Sequence, residues 1–177
     1  MGATGGLGEG SRARLTVHLR VIAVGTRVPA WVDAGFDEYA RRLTRPWKLE
    51  LKTLPPASRR ELAGAGRGTG SAAKAHEARR IEALLSARDV VVPLDEHGEQ
   101  FSTPELARWL DQQSAQARPL AFVIGGPDGL APELLARGRP VWSLSRLTLP
   151  HALVRVLLAE QLYRAISLLA GHPYHRA

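Results

Sequence analysis

The chain has 177 residues, 24 Lys and Arg against 17 Asp and Glu, a formal charge of +7 and a sequence pI near 10.7. That length supports one domain with a real core, and the absence of cysteine excludes a disulfide framework and thiolate chemistry. The basic excess favours an anionic partner, nucleic acid ahead of a membrane surface, although arginine supplied by a GC-rich genome would give the same sum.

Residues 1–16 (MGATGGLGEGSRARLT) are rich in glycine and small residues, have no apolar period, and read as a disordered extension rather than a secretory or transit signal. Residues 17–177 read as a single domain. Val17–Val24 is an apolar run that predicts a strand ending at Gly25. After Pro29 a helical pattern carries Trp31, Ala34, Phe36 and Tyr39, and Pro46 stops it. Polar and apolar residues alternate over 48–54, the mark of a half-exposed strand. Residues 55–71 form a Pro, Gly and Arg-rich loop whose Arg59, Arg60 and Arg67 are either solvated or in contact with phosphate.

A helix is expected over 72–87 and a short buried strand over 89–94. Ser102-Thr103-Pro104-Glu105 supplies a hydroxyl cap and a first-turn proline for a helix over 106–116. Leu120–Ile124 predicts another buried strand, Pro132–Arg137 a short helix, and 141–144 a last strand. The final helix is expected over 150–170, with proline at its entry and Gly171 at its end. Arg155, Glu160 and Arg164 interrupt its apolar run, which speaks against a membrane span. Strands alternating with helices predict an α/β domain with a mostly parallel sheet. Trp31, Trp47, Trp109 and Trp142 are expected in the core rather than as base-stacking platforms.

Chemistry concentrates in the last third. Ile124-Gly125-Gly126-Pro127-Asp128-Gly129 follows a buried strand at its carboxyl end, where open α/β sheets take ligands. Its spacing is G-G-x-x-G, not the dinucleotide G-x-G-x-x-G, and there is no Walker sequence, so nicotinamide and nucleoside-triphosphate enzymes are disfavoured. An ordinary strand-to-helix turn is the competing reading. His151 and Arg155, four apart, project from one helix face, as do Glu160 and Arg164, which read first as an intrahelical ion pair. From Arg137 onward six arginines stand against one acid, Glu160. Three of the six histidines fall in the last 27 residues, but no cysteine and no H-E-x-x-H pattern supports a zinc site, so no metal is expected.

Residues 124–130, then Trp142-Ser143-Leu144-Ser145-Arg146-Leu147-Thr148-Leu149-Pro150-His151, then Val154-Arg155-Val156, Glu160-Gln161-Leu162-Tyr163-Arg164-Ala165 and the closing His172-Pro173-Tyr174-His175-Arg176 closely resemble the RlmH family. The likeness covers nearly everything from Val17 on. It implies a SPOUT-type fold: a mostly parallel sheet with helices on both faces and a C-terminal trefoil knot. It also implies a cytoplasmic homodimer, packed through its last helices, that transfers a methyl group from S-adenosylmethionine to N3 of a pseudouridine. The target implied is the helix 69 loop of 23S rRNA in the assembled ribosome, with no membrane partner. By the same resemblance the cofactor is held by Leu94, by Gly125 and Gly126, and by Leu144, Ser145, Arg146, Leu147, Thr148 and Leu149.

The acceptor nitrogen is an imide protonated at neutral pH, so a base and an anion-stabilising group are needed. The resemblance puts these among Tyr174, His175 and Arg176, with His151 and Arg155 nearby. His175 is the candidate proton acceptor, and Arg176 or Arg155 the candidate for holding negative charge or phosphate. A frayed terminus is the competing reading of the tail. A SPOUT enzyme with another target, such as a transfer RNA ribose, and a non-catalytic ribosome-binding factor are the rival functions.

The family's first methionine aligns with Val17, and a valine GTG codon can initiate translation in bacteria. The native protein is therefore expected to begin at Val17. Intact-mass measurement on protein from the native host should give a mass without residues 1–16; a mass that includes them overturns this start.

Overall fold

The structure is a computed structural model and describes residues 16–63, 69–172 and 174. Five parallel strands make one sheet in the order β2-β1-β4-β3-β5. In chain order they are β1 (Val17–Val24), β2 (Trp47–Leu54), β3 (Val90–Gln100), β4 (Leu120–Ile124) and β5 (Trp142–Ser143). The bounds of β1 and β4 are those the apolar runs predict. Both strands lie inside the sheet; β4 is buried on both faces and reads as continuous hydrophobe, while β1 keeps His18 and Arg20 near its start and is fully buried from Val21 on. The alternation in β2 has the opposite cause: it is an edge strand with one wet side.

Five helices cover the sheet: α1 (Ala30–Arg42), α2 (Thr69–Glu82), α3 (Thr103–Ala115), α4 (Pro132–Arg137) and α5 (His151–Leu169). The pleat divides the core. Leu19, Val21, Phe122 and Ile124 face Phe36 of α1, Leu106 and Leu110 of α3, and Leu158 and Leu162 of α5. Ile22, Val24, Ala121 and Val123 face Ala78 and Ile81 of α2 and Leu134 of α4. Helix α5 packs against both α1 and α3. The start of α3 is fixed by a reciprocal cap. The Ser102 hydroxyl accepts from the Glu105 N–H at 3.4 Å, and the Glu105 carboxylate accepts from the Ser102 N–H at 2.7 Å.

Several expectations need correcting. Trp31 is not core: it is 56% exposed on the outer side of α1, where Val32 and Phe36 take the inward positions. Trp142 is buried, and Trp47 and Trp109 pack partly buried against the core. Helix α2 begins at Thr69, inside the predicted loop, and ends at Glu82 rather than at 87. It stops because Asp89 accepts the Ser86 N–H at 2.6 Å and pairs with Arg20, whose Nη1 also donates to Leu84 O at 3.0 Å. These bonds fold 83–89 into a turn.

Strand β3 continues six residues past Leu94 because the polar stretch 95–100 returns to pair with β5. Leu94 and Glu99 both face Trp142 across a register shift. A strand made of Asp, Glu, His, Gly and Gln has no hydrophobic period to announce it. The last strand is only Trp142–Ser143, half its predicted length.

Phe122 sits at 0% exposure on the central strand, with its ring centroid 6.1 Å from that of Trp142. Phe122→Ala is expected to lower unfolding free energy by about 3–5 kcal/mol, measured by urea denaturation.

Candidate functional site

A parallel sheet delivers every strand's carboxyl end to one edge, and here three of those ends enclose a cleft of about 490 Å³. Its walls are the continuation of β3 from Leu94, the glycine turn after β4 and the segment 142–149, closed by His151 and Val154 of α5 and by Lys74 of α2. Of the expected cofactor residues, Leu94, Gly125, Gly126, Leu144, Ser145, Leu147, Thr148 and Leu149 all line it. Arg146 is exposed and stands outside the lining.

Steric reasons for the two glycines come from inside the protein. The turn closes on itself, with the Gly129 N–H donating to Gly126 O at 3.0 Å, and a Cβ on Gly125 would lie 2.7 Å from the Gly129 carbonyl carbon. A Cβ on Gly126 would lie 2.9 Å from Glu77 Oε2 and 3.2 Å from Val24 Cγ1. The positive φ in this turn belongs to Gly129, at 83°, not to the Gly125-Gly126 pair.

The segment after β5 is shaped by its own hydroxyls. Ser143 Oγ donates to Ser145 O at 2.9 Å, and Ser145 Oγ accepts from the Leu147 N–H at 2.9 Å. Thr148 Oγ1 donates to Glu96 Oε2 at 3.0 Å, so the third wall is tied to the first. Leu147 is left 74% exposed while still touching the cleft.

His151 and Arg155, one turn apart on α5, both approach Gly25 at the end of β1. A Cβ on Gly25 would stand 3.1 Å from His151 Nε2 and 3.2 Å from Arg155 Nη2. Arg155 is completely buried. Its Nη2 donates to Gly25 O at 2.5 Å and Val24 O at 3.3 Å, while Nε and Nη1 have no hydrogen-bond partner. Burial pushes its pKa below the ordinary arginine value, and Asp33 opposes that shift. An arginine nevertheless stays cationic at neutral pH. A buried cation with unspent donors is costly unless an anion or polar group completes it.

The tail takes a different place. The Tyr174 ring packs edge-on against Tyr163 with centroids 4.7 Å apart, Arg164 lies over it at 5.0 Å, and its hydroxyl bonds Glu160 Oε1 at 3.3 Å. The expected Glu160–Arg164 ion pair is formed at 2.7 Å. Glu160 is nine residues beyond His151, about 13 Å along the helix. Within one chain, therefore, Tyr174 is docked away from the cleft. His175 and Arg176 lie outside the described residues.

Sequence reading passed over Gly25 as a site residue, and over Glu77, Lys74 and Glu96. The signal for two of them was present: Lys74, Glu77 and Arg80 stand three apart and so share a face of α2. Among the described residues no group of His, Asp and Glu is placed to hold a metal ion.

A family model described as "Predicted SPOUT methyltransferase" matches residues 17–175. The chain is 47% identical over 161 residues to the ribosomal RNA large subunit methyltransferase H of Burkholderia mallei (strain SAVP1), and equally to that of Burkholderia pseudomallei (strain K96243). Each match covers 91% of this chain and all of the relative. A probable methyltransferase from Bordetella pertussis Tohama I has a similar fold, with a TM-score of 0.54 at 16% identity, covering 85% of this chain and 95% of that one.

Burial, a hydrogen bond with Tyr39 and the charge at Glu160 push the Tyr174 phenol up to about 12. A raised folded pKa means that the docking contribution is complete below the unfolded value and is lost as pH rises through about 12. A spectrophotometric titration of Tyr174→Phe subtracted from that of the wild type should show one phenol ionising late; a difference curve centred at the ordinary tyrosine value contradicts this docking.

Proposed function

The chain belongs to the SPOUT methyltransferase family, and on that premise we propose that it methylates large-subunit ribosomal RNA from S-adenosylmethionine, at N3 of a pseudouridine in the helix 69 loop of the assembled ribosome. The observation that carries this reading is the meeting of a backbone-walled cleft with an incompletely paired, buried guanidinium, Arg155, at the same sheet edge.

The cleft suits the donor. About 490 Å³ lies within the usual range for small-molecule sites. Its leucines and glycine turn offer apolar enclosure and backbone polar groups, and Asp95, Glu96 and Asp128 outnumber Lys74 on its walls, which favours a cationic sulfonium. When bound there, S-adenosylmethionine supplies an electrophilic methyl carbon, chemistry that requires no metal. Leu94, Gly125 and Gly126, with 144–149, would orient it.

The remaining work falls to the chain's polar groups. The acceptor nitrogen must lose a proton and carry negative charge as it attacks. Arg155, held on Val24 O and Gly25 O, keeps a fixed positive charge beside the cleft, where a low dielectric strengthens its effect. His151 Nε2 stands at the same point and can hold the acceptor or a proton. His175 is the proposed proton acceptor and Arg176 a second anion-stabilising or phosphate-holding group.

Those tail residues fit best as a contribution from a second copy. The site lies at the start of α5 and the tail beyond its end, about 27 Å apart along the axis. Two copies packed through α5 would bring one tail to the other's cleft. The half-buried Leu153, Val156 and Leu157, opposite the buried Leu158 and Leu162, give α5 an apolar side for this packing. Family membership further implies that the segment after β5 threads a loop to form the knot. Among the described residues no helix is long and apolar enough to cross a membrane; a cytoplasmic setting follows from the ribosomal substrate.

Calorimetry should show donor binding, and ribosomes lacking the modification should gain one methyl group, located by nucleoside mass mapping. Truncation after Pro173 should abolish transfer while dimer mass and donor binding persist. Full transfer by the truncated protein removes the tail from catalysis. Donor binding without ribosomal methylation points to another RNA, and the absence of donor binding leaves a non-catalytic ribosome factor.

A further inference from the structure

Glu77 is a buried carboxylate, 6% exposed, that the chemistry above does not use. Its Oε1 accepts the Ala57 N–H at 3.0 Å, and its Oε2 lies where a side chain on Gly126 would begin. One carboxylate thus touches the loop after β2 and the glycine turn of the cleft. Three residues to either side on the same helix face, Lys74 lines the cleft, and Arg80 donates from Nη1 to Pro55 O at 3.0 Å and pairs with Glu61. A single face of α2 therefore organises the cleft at one end and the 55–63 segment at the other.

That segment is built rather than loose. Its turn closes through the Leu62 N–H to Ser58 O at 3.2 Å and the Ala63 N–H to Arg60 O at 3.3 Å. Glu61 accepts the Ser58 N–H and hydroxyl, both at 2.8 Å. These bonds, with Arg80, hold the Glu61 carboxyl at about 2, so the cap is ionised throughout the neutral range. What the turn presents outward is Arg59 and Arg60, both exposed and, among the described residues, without an acidic partner. Two adjacent cations held up by a braced turn suit a polyanionic backbone.

We propose that the 58–63 turn is an arm that binds phosphates of the RNA substrate through Arg59 and Arg60, and that Glu77 is the positioning residue that fixes this arm against the donor cleft. The proposal rests on the RNA reading above and adds to it a surface and a link. Neutralising the arm removes phosphate contacts alone. Removing the Glu77 carboxylate frees both the Ala57 N–H and the space behind Gly126, and so disturbs substrate grip and donor binding together.

The test uses the full-length dimer and ribosomes lacking the modification. The Arg59→Ala/Arg60→Ala protein should show a KM for ribosomes raised several-fold, with kcat and the calorimetric donor Kd unchanged. The slope of log affinity against log salt should become shallower by roughly one to two. Glu77→Ala should weaken both donor Kd and ribosome KM several-fold, and Glu77→Gln, which keeps an acceptor of the same length, should restore most of both. Adding the double arginine change to Glu77→Ala should cost less than it costs the wild type.

An unchanged KM and salt slope in the arginine variant overturns the arm. Unaltered donor binding in Glu77→Ala, or additive losses in the cycle, overturns the link. If wild-type protein binds ribosomes by sedimentation but methylates none, the proposed activity fails while the arm is still read from the salt slope.

Discussion

A parallel sheet cannot return its chain by a tight turn, so every strand must be entered from one edge and left at the other. In this protein that constraint gathers Gly25, Leu94, Gly125 and Leu144 at one rim and sends the connecting helices across both faces. The cleft is a consequence. Its walls are backbone from three loops that have no choice but to meet, and the side chains that matter most are those that let the backbones come close. Hence Gly125 and Gly126 are set by their neighbours in the fold, the Gly129 carbonyl and the Glu77 carboxylate, before any ligand arrives.

Helix α5 begins at this rim. Its first turns carry His151 and Arg155 to the end of β1, while its middle packs Leu158 and Leu162 into the core and holds the Glu160–Arg164 pair outward. Arg155 is buried, and two of its nitrogens have no hydrogen-bond partner among the described residues. A buried charge that lacks a partner is costly to the fold. Arg155 lies at the end of β1, one helical turn from His151, which lines the cleft.

Charge is distributed to match. Within the cleft, carboxylates outnumber Lys74, whereas Arg59, Arg60 and Arg146 stand exposed outside its lining. The proposed cationic donor and polyanionic substrate would therefore draw on different groups of the protein. The Lys74, Glu77 and Arg80 face of α2 joins the two regions through short, directional contacts.

A run of hydrophobic residues determined β4 and the largely apolar run of β1 its bounds, and the Ser102–Glu105 cap determined where α3 starts, because each signal is local: a buried strand must be apolar and a helix end must satisfy its N–H groups. The glycine turn was legible as a candidate ligand site because its place after a strand follows from order along the chain, whereas the 144–149 segment became a candidate cofactor site through its resemblance to the RlmH family. What the sequence left open depends on partners distant in sequence. The polar end of β3 is a strand only because β5 lies beside it, and α2 stops early only because Arg20, 69 residues away, reaches Asp89. Trp31 falls on the outer side of α1, a matter of how that helix is rotated against the sheet. Glu77 and Gly25 became neighbours of the candidate site when packing set them against Gly126, His151 and Arg155. Hydrophobic period and capping are properties of neighbours in the chain, whereas the pairing of charges and the approach of backbones are properties of neighbours in space, and only the tertiary structure brings those together.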